Sequence, residues 1–234
     1  MSNQKIITLD NMSLHELDSE AELIPLLTPE DEEEMNNEEL PMDLPILPLR
    51  NTVLFPGVVI PITAGRDKSI KLINDANAAG KVIGVVSQKN EDIEEPTFAD
   101  INSVGTVARI LRVLKMPDGN VTVILQGKKR FEIDEMTTEV PYMKASIKEV
   151  EEKRPRKNDK EFLAIIDSVK ELATSIIEES PNIPTEATFA IKNIGSHSFL
   201  INFVSSNMNL SVQEKQDLLS INNLKDRALR ALKF

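Results

Sequence analysis

The side chains that most often perform chemistry in proteins are scarce in this chain. It has no Cys and two His, His15 and His197. Disulfides, thiolate zinc sites and cysteine nucleophiles are therefore excluded, and a histidine metal site is improbable. His197 lies between two serines, but a catalytic base needs an orienting acid in space rather than a neighbour in sequence. We expect it to lie beside a helix cap or on the surface. The pairs Glu94-Glu95 and Glu178-Glu179 are typical of solvated helix ends and faces.

Motifs for binding phosphate or attacking an acyl group are also absent. None of Gly-x-x-x-x-Gly-Lys-Ser/Thr, Gly-x-Gly-x-x-Gly and Gly-x-Ser-x-Gly occurs in the 234 residues. These spacings are needed to cradle phosphates or to expose a serine nucleophile. The residues alone thus predict no catalytic, cofactor or metal site, and favour a binding or assembly module.

The negative charge is concentrated at the start of the chain. The formal net charge is −11, and residues 1–43 hold 13 acidic residues and one basic residue, Lys5. Blocks of like charge repel themselves and stay solvated, so we predict an unstructured acidic tail over residues 1–43. The alternative is a docking strip for a basic partner, with the apolar run Leu23–Leu27 as an anchor.

The sequence does not favour nucleic acid or a membrane as a partner. The remainder of the chain is almost neutral, and one Tyr with no Trp offers little for base stacking. We interpret the basic clusters at residues 128–130 and 153–157 as a solvated turn and linker. No run approaches the roughly 20 apolar residues of a membrane span, and no secretory signal begins the chain. The sequence predicts a soluble, cytoplasmic protein.

Residues 44–150 carry the signals of a β-rich lobe. Proline recurs through residues 44–61, which predicts edge strand or extended chain, with a bend at Pro56-Gly57. Short β-branched runs follow, with a hairpin around residues 116–120 and one short helix near residues 67–79. This pattern predicts a largely antiparallel sheet or barrel.

The remaining residues are helical in pattern. A charged linker is predicted at residues 151–160 and an all-α bundle at residues 161–234, so the fold class is α+β. Apolar residues at helical spacing predict helices near 159–179 and 185–194. Three more should follow the caps Ser196, Ser211 and Asn223. The last helix has no stop signal, so we expect the chain either to finish there or to be cut within a longer protein.

Several motifs occur in a fixed order along the chain, dense over residues 44–150 and sparser over residues 151–234. They are Leu44–Pro61, Gly65–Ile70, Gln88-Lys89, Val104–Ile110, Lys115–Gly119, Gly127 with Arg130, and Lys215–Leu219 with Arg227. Together they resemble the N-terminal domain of Lon proteases. The long acidic leader is similar to that of the Bacteroidetes-type branch.

The resemblance implies a PUA-like lobe followed by a helical bundle that together select unfolded or damaged proteins and help subunits assemble. The complete enzyme would be a cytoplasmic, homohexameric, ATP-dependent Ser/Lys protease. Its ATPase and peptidase domains are absent from this sequence. ATP and Mg are therefore expected only in the ATPase domain of the complete enzyme. No catalytic residue of the family can be assigned to any position here.

Candidate contact residues for a client polypeptide are Phe55, Val58 and Ile60, near the Pro56-Gly57 bend. The competing interpretation is that these three are core residues. Arg66, Asp67 and Lys68 are candidates for contacts with substrate or with neighbouring subunits, against an ordinary charged first turn of a helix. An alternative function is a free-standing adaptor or small-ligand-binding module of the same domain type.

Overall fold

The structure is a computed structural model that describes residues 29–156, 158–179 and 186–234. Its strands are β1 (Asp43–Leu49), β2 (Val59–Ala64), β3 (Val82–Ser87), β4 (Val104–Lys115), β5 (Val121–Thr138) and β6 (Lys144–Glu149). Its helices are α1 (Pro29–Asn37), α2 (Asp67–Ala78), α3 (Lys160–Glu179), α4 (Glu186–Asn193), α5 (His197–Asn207), α6 (Val212–Ser220) and α7 (Leu224–Ala231). The α+β class predicted from the sequence is confirmed.

The strands form a barrel with one additional strand. Their order is β2-β5-β4-β3-β1-β6, and β6 also pairs with β5, which closes a ring of five strands. The β1–β3 pairing is parallel and the other pairings are antiparallel. Strand β2 adds to the first part of β5, where residues 59–64 pair with residues 121–126.

One long strand, β5, organises this barrel. The sequence pattern predicted only short strands in this lobe, but β5 continues through residues 121–138. Glycine permits the continuation because a Cβ at Gly127 would lie 2.2 Å from the carbonyl oxygen of Phe55. Strand β5 therefore pairs with β2 near its start and with β6 near its end.

Local capping signals place the helices close to their predicted positions. The Ser196 hydroxyl accepts a hydrogen bond from the Phe199 amide, and Asn223 caps α7 in the same way. Ser211 and Glu214 form the predicted capping box at the start of α6. Each cap satisfies an amide that has no partner within its helix, so the boundary is fixed by local chemistry.

Three apolar clusters form the core. One packs α2 on the sheet, where Leu72 and Ile73 lie beside Ile83 and Leu125. A smaller one draws on all five strands of the ring and includes Phe131 and Ala145. The third joins the barrel to the helical bundle, because Phe55 and Val58 pack in the same cluster as residues of α3 and α5–α7. The two lobes predicted from the sequence therefore share a continuous apolar interface.

Two segments predicted to be solvated are instead attached to this body. Residues 29–37 form helix α1, whose Met35 is buried in the cluster between barrel and bundle. In the predicted linker, the Glu152 carboxylate bonds to the Arg227 guanidinium, and Lys153 forms a backbone bridge with Asn223. The prediction failed because it considered the charge of these segments and not their partners. Residues 1–28 lie outside the described residues.

Candidate functional site

A tight turn leads the chain into strand β2. The Val58 amide donates to the Phe55 carbonyl, and Gly57 at the third position of the turn has a φ of 80°. This geometry is that of a type II turn, with Pro at its second position and Gly where φ must be positive. The predicted bend at Pro56-Gly57 is confirmed.

The same turn creates a bulge that sets the register of β2. The Gly57 amide donates to the Gly127 carbonyl at 2.9 Å, and the Gly127 amide donates to the Val58 carbonyl at 2.8 Å. Two residues thus oppose one, as in a β-bulge whose first residue is glycine. Hydrogen-bonded pairs alternate along an antiparallel ladder, so residues 60, 62 and 64 bond to β5.

The backbone groups of Val59, Pro61 and Thr63 therefore point away from β5. Within the described residues no strand pairs with this edge of β2. Pro61 fits here because its missing N–H falls on the open edge and leaves the ladder to β5 intact. The close contact of the Thr63 and Thr122 hydroxyls, at 3.1 Å, agrees with a pair whose backbones do not bond to each other.

A groove of about 750 Å³ separates this edge from β1. Its walls are the end of β1, the loop at residues 50–52, and residues 60–66 of β2 and the segment after it. Strand β6 pairs with residues 43–45 of β1 only, so residues 47–49 also lack a neighbour on the groove side. We name this feature the β1/β2 groove. It is a gap in the barrel wall bordered by two strand edges.

Basic side chains stand at one end of the groove. Arg66 lines it and donates to the Gln88 side chain, which is itself buried. Burial lowers the pKa of Arg66, and the positive charge of Arg50, another lining residue, lowers it further. The Lys68 ammonium lies 2.9 Å from the Glu95 carboxylate in an adjoining small pocket.

The structure separates the six candidate contact residues into two groups. Phe55 and Val58 have 0% and 6% exposure and belong to the core, so the expectation that they touch substrate is corrected. Ile60 is half-buried and lines the β1/β2 groove, as Arg66 does. Asp67 and Lys68 are exposed at the start of α2, beside the same end of the groove.

Sequence reasoning missed two arginines that lie where the barrel meets the helical bundle. Arg130 donates to the carbonyls of Leu219 and Ile221, both at 2.9 Å, at the end of α6. Arg227 is fully buried and bonds to Asn202, Glu152 and the Ile221 carbonyl. Burial, with the nearby charge of Arg227, lowers the pKa of Arg130 to about 10.

Both arginines bond to groups of the protein itself, so their role is structural. The predicted solvated turn at residues 128–130 is thus a buried part of β5, with Lys129 at 9% and Arg130 at 3% exposure. The only sequence signal was that Gly127, Arg130 and Arg227 fall within the motifs that carry the family resemblance. His197 begins α5 and stacks edge-on against Phe162, with ring centroids 5.5 Å apart.

No group of three or more His, Asp and Glu side chains among residues 29–156, 158–179 and 186–234 is arranged to hold a metal ion. In the same residues, no helix is both long and apolar enough to cross a membrane.

The fold recurs in solved structures of protease N-terminal domains. The N-terminal domain of the Mycobacterium avium complex Lon protease superposes with a TM-score of 0.67 at 20% identity, covering 82% of this chain and 96% of that one. A Lon N-terminal domain protein from Xanthomonas campestris gives 0.55 at 18% identity, covering 82% and 98%. At these identities the similarity concerns the fold.

Sequence similarity then places the chain within a family. Residues 43–234 match the family described as "ATP-dependent protease La (LON) substrate-binding domain", and the chain belongs to it. The resemblance inferred from the motifs is confirmed.

Named relatives are much longer than this chain. It is 80% identical over 234 residues, its whole length, to the Lon protease of Flavobacterium johnsoniae, and it spans 29% of that protein. It is 50% identical over 213 residues, 91% of its length, to the Lon protease of Cytophaga hutchinsonii, and it spans 26% of that one.

Proposed function

We propose that the chain is the substrate-recognition and assembly region of an ATP-dependent serine protease of the cytoplasm. In this proposal it captures unfolded or damaged proteins and associates with the same region of other subunits. Cleavage, ATP and Mg belong to domains outside these residues. The membership in a substrate-binding family supports recognition as its role, and the β1/β2 groove offers a place for it.

The groove suits an extended polypeptide. The open edge of β2 presents the N–H groups of Val59 and Thr63 and the carbonyls of all three outward residues. A strand of six residues at about 3.3 Å each offers a template of roughly 20 Å. A polypeptide added to such an edge gains main-chain hydrogen bonds, which any sequence can supply.

Apolar residues in the groove favour clients whose hydrophobic side chains are exposed. Ile60 and Ile62 line it and are half-buried, whereas Leu47 and Leu49 in its wall are buried in the core. A folded protein keeps such side chains and its strand edges covered, so the groove distinguishes unfolded chains by what they expose. Single-site affinity would be modest and would rise when several copies act together.

The test alters one edge hydrogen bond without altering the ladder. Thr63→Pro removes an outward N–H, and we expect affinity for a carboxymethylated, permanently unfolded model protein to fall about fivefold, the effect of one hydrogen bond. Pro61→Ala supplies an N–H at the same edge and should raise affinity by a similar factor. Fluorescence anisotropy at high micromolar chain concentration measures both.

Thr63→Val is the matched control, since it removes the hydroxyl and keeps the N–H. Equal affinity of Thr63→Pro and Thr63→Val would contradict strand addition at β2. Failure of the folded wild-type chain to bind the unfolded protein at high micromolar concentration would contradict the recognition role itself.

A further inference from the structure

Helix α1 covers a second cleft, which is distinct from the β1/β2 groove. The cleft lies where β5, the connector before α3 and helix α5 meet, and it encloses a cavity of about 60 Å³. Glu32 and Met35 of α1 form one wall, and Lys128, Arg154 and Phe199 lie on the others. We call this feature the α1 cleft.

The charges of this cleft are balanced by α1. Four cationic side chains line the cleft, namely Lys128, Lys129, Arg130 and Arg154. The carboxylates that line it outside α1 are two, Glu149 and Glu152. Glu32 of α1 pairs with Arg154, and Glu38 just beyond it lies 3.6 Å from Lys128. Without α1 the cleft would present an excess of positive charge beside the Phe199 ring.

Two buried side chains anchor α1. Met35 is its buried apolar side chain, at 6% exposure, and Glu32 is its buried acid, at 8%. Glu30, Asp31, Glu33 and Glu34 are exposed. A helix of nine residues is not stable by itself in water, so α1 persists through this docking alone.

We propose that the α1 cleft is a docking site for an acidic segment of another polypeptide, with one apolar side chain among its carboxylates, and that α1 occupies it as an internal competitor. The pairing of Glu32 with Arg154 and the burial of Met35 define what an incoming segment must supply. An acidic segment binds only while α1 is displaced, so its apparent affinity is reduced by the fraction of chains in which the cleft is open.

The test opens the cleft in the full 234-residue chain and supplies the occupant separately. The probe is a fluorescein-labelled peptide with the sequence of residues 29–39. Met35→Asp in the chain removes the apolar anchor of α1 and should raise the affinity for the peptide at least tenfold over wild type. Glu32→Gln is a milder opening that should raise it less, and it serves if thermal unfolding shows Met35→Asp to be unfolded.

Charge reversal then locates the site. In the Met35→Asp chain, Arg154→Glu should abolish the gain, whereas Arg156→Glu, an exposed residue two positions away, should leave it. A peptide in which Ser replaces the methionine should bind no better to the opened chain than to wild type. Thr63→Pro should leave peptide binding unchanged, because the β1/β2 groove is not involved.

Three results would overturn the proposal. The first is equal affinity of the peptide for the wild-type and both opened chains. The second is an equal loss from Arg154→Glu and Arg156→Glu, which would indicate non-specific charge attraction. The third is dimerisation of the wild-type chain that the free peptide reverses, measured by sedimentation, since the occupant would then be α1 of a second copy.

Discussion

The barrel is covered on one side and open on another, and the two sides differ in how they treat polar groups. On the covered side, the end of α6 and the residue after it bring the carbonyls of Leu219 and Ile221 to Arg130, and the Ile221 carbonyl also accepts from Arg227. Gln216 bonds to both Ser87 and the Val104 carbonyl. On the open side, the edges of β1 and β2 face a groove with no protein partner among the described residues. Hydrogen bonds between barrel and helices fix the first interface, although Nη2 of Arg130 is buried there without a hydrogen-bond partner in the part of the chain that the structure describes. On the second side, strand-edge groups that no group of the described residues pairs with are available for binding.

The largest loss of stability should follow removal of the buried charge on the covered side. Arg227→Met leaves the Glu152 carboxylate and the Ile221 carbonyl without this partner in a buried setting. We expect the free energy of unfolding to fall by about 3–5 kcal/mol, measured by urea denaturation.

Arg230→Met is the matched control, because Arg230 lies on the same helix and is exposed. It should change the free energy of unfolding by about 0.5 kcal/mol or less. If the two variants were equally stable, the view that buried polar contacts fix the covered side would be wrong.

A second, smaller loss should come from crowding the bulge beside the bundle. In Gly127→Ala the new Cβ would meet the Phe55 carbonyl at 2.2 Å, so strand β5 or the turn before β2 must move. We expect a loss of about 1–3 kcal/mol by thermal or urea unfolding.

Gly80→Ala provides the comparison away from the bundle. A Cβ there meets no atom within 4 Å, and φ at Gly80 is not positive. Its free energy of unfolding should stay within about 0.5 kcal/mol of wild type. A loss equal to that of Gly127→Ala would mean that glycine content, and not the close approach to Phe55, sets the effect.

The smallest expected effect is on the pH dependence of stability, at the edge of the covered side. Burial, with the nearby positive charge of Lys170, lowers the pKa of His197 from its usual 6.5. The unfolded chain then binds the proton more readily, so this contribution is present above pH 6.5 and is lost as the pH falls below it. Acidification from pH 7.5 to 5.5 should therefore destabilise wild type slightly more than His197→Gln, measured by urea denaturation. An identical pH dependence for the two proteins would show that His197 is solvated as in the unfolded chain.

Local chemistry made much of this fold predictable from the sequence. Caps such as Ser211 with Glu214 fix a helix start within four residues, and Pro56-Gly57 fixes a turn. These signals act between neighbours, so they can be seen without knowledge of the fold.

Long-range pairings were not predictable in the same way. The parallel pairing of β1 with β3 depends on closure of the barrel, and the burial of Arg130 depends on carbonyls about 90 residues later. Helix α1 was missed because Met35 is one apolar residue within an acidic run, and its complement lies on β5 and α5. Of the residues that line the β1/β2 groove, only Ile60 and Arg66 were candidates from the sequence. The groove itself was not predicted, because the strand edges that border it arise from the whole topology.

Strand β5 connects the two sides described above. Residues 121–126 hold β2 at the groove, and Arg130, four residues further on, clasps the end of α6. Hydrogen-bonded strands resist shear along their length, so tension on a polypeptide gripped at β2 would pass through β5 to the joint between α6 and α7. The barrel would then act as a mechanical link that carries load from the gripping edge into the helices.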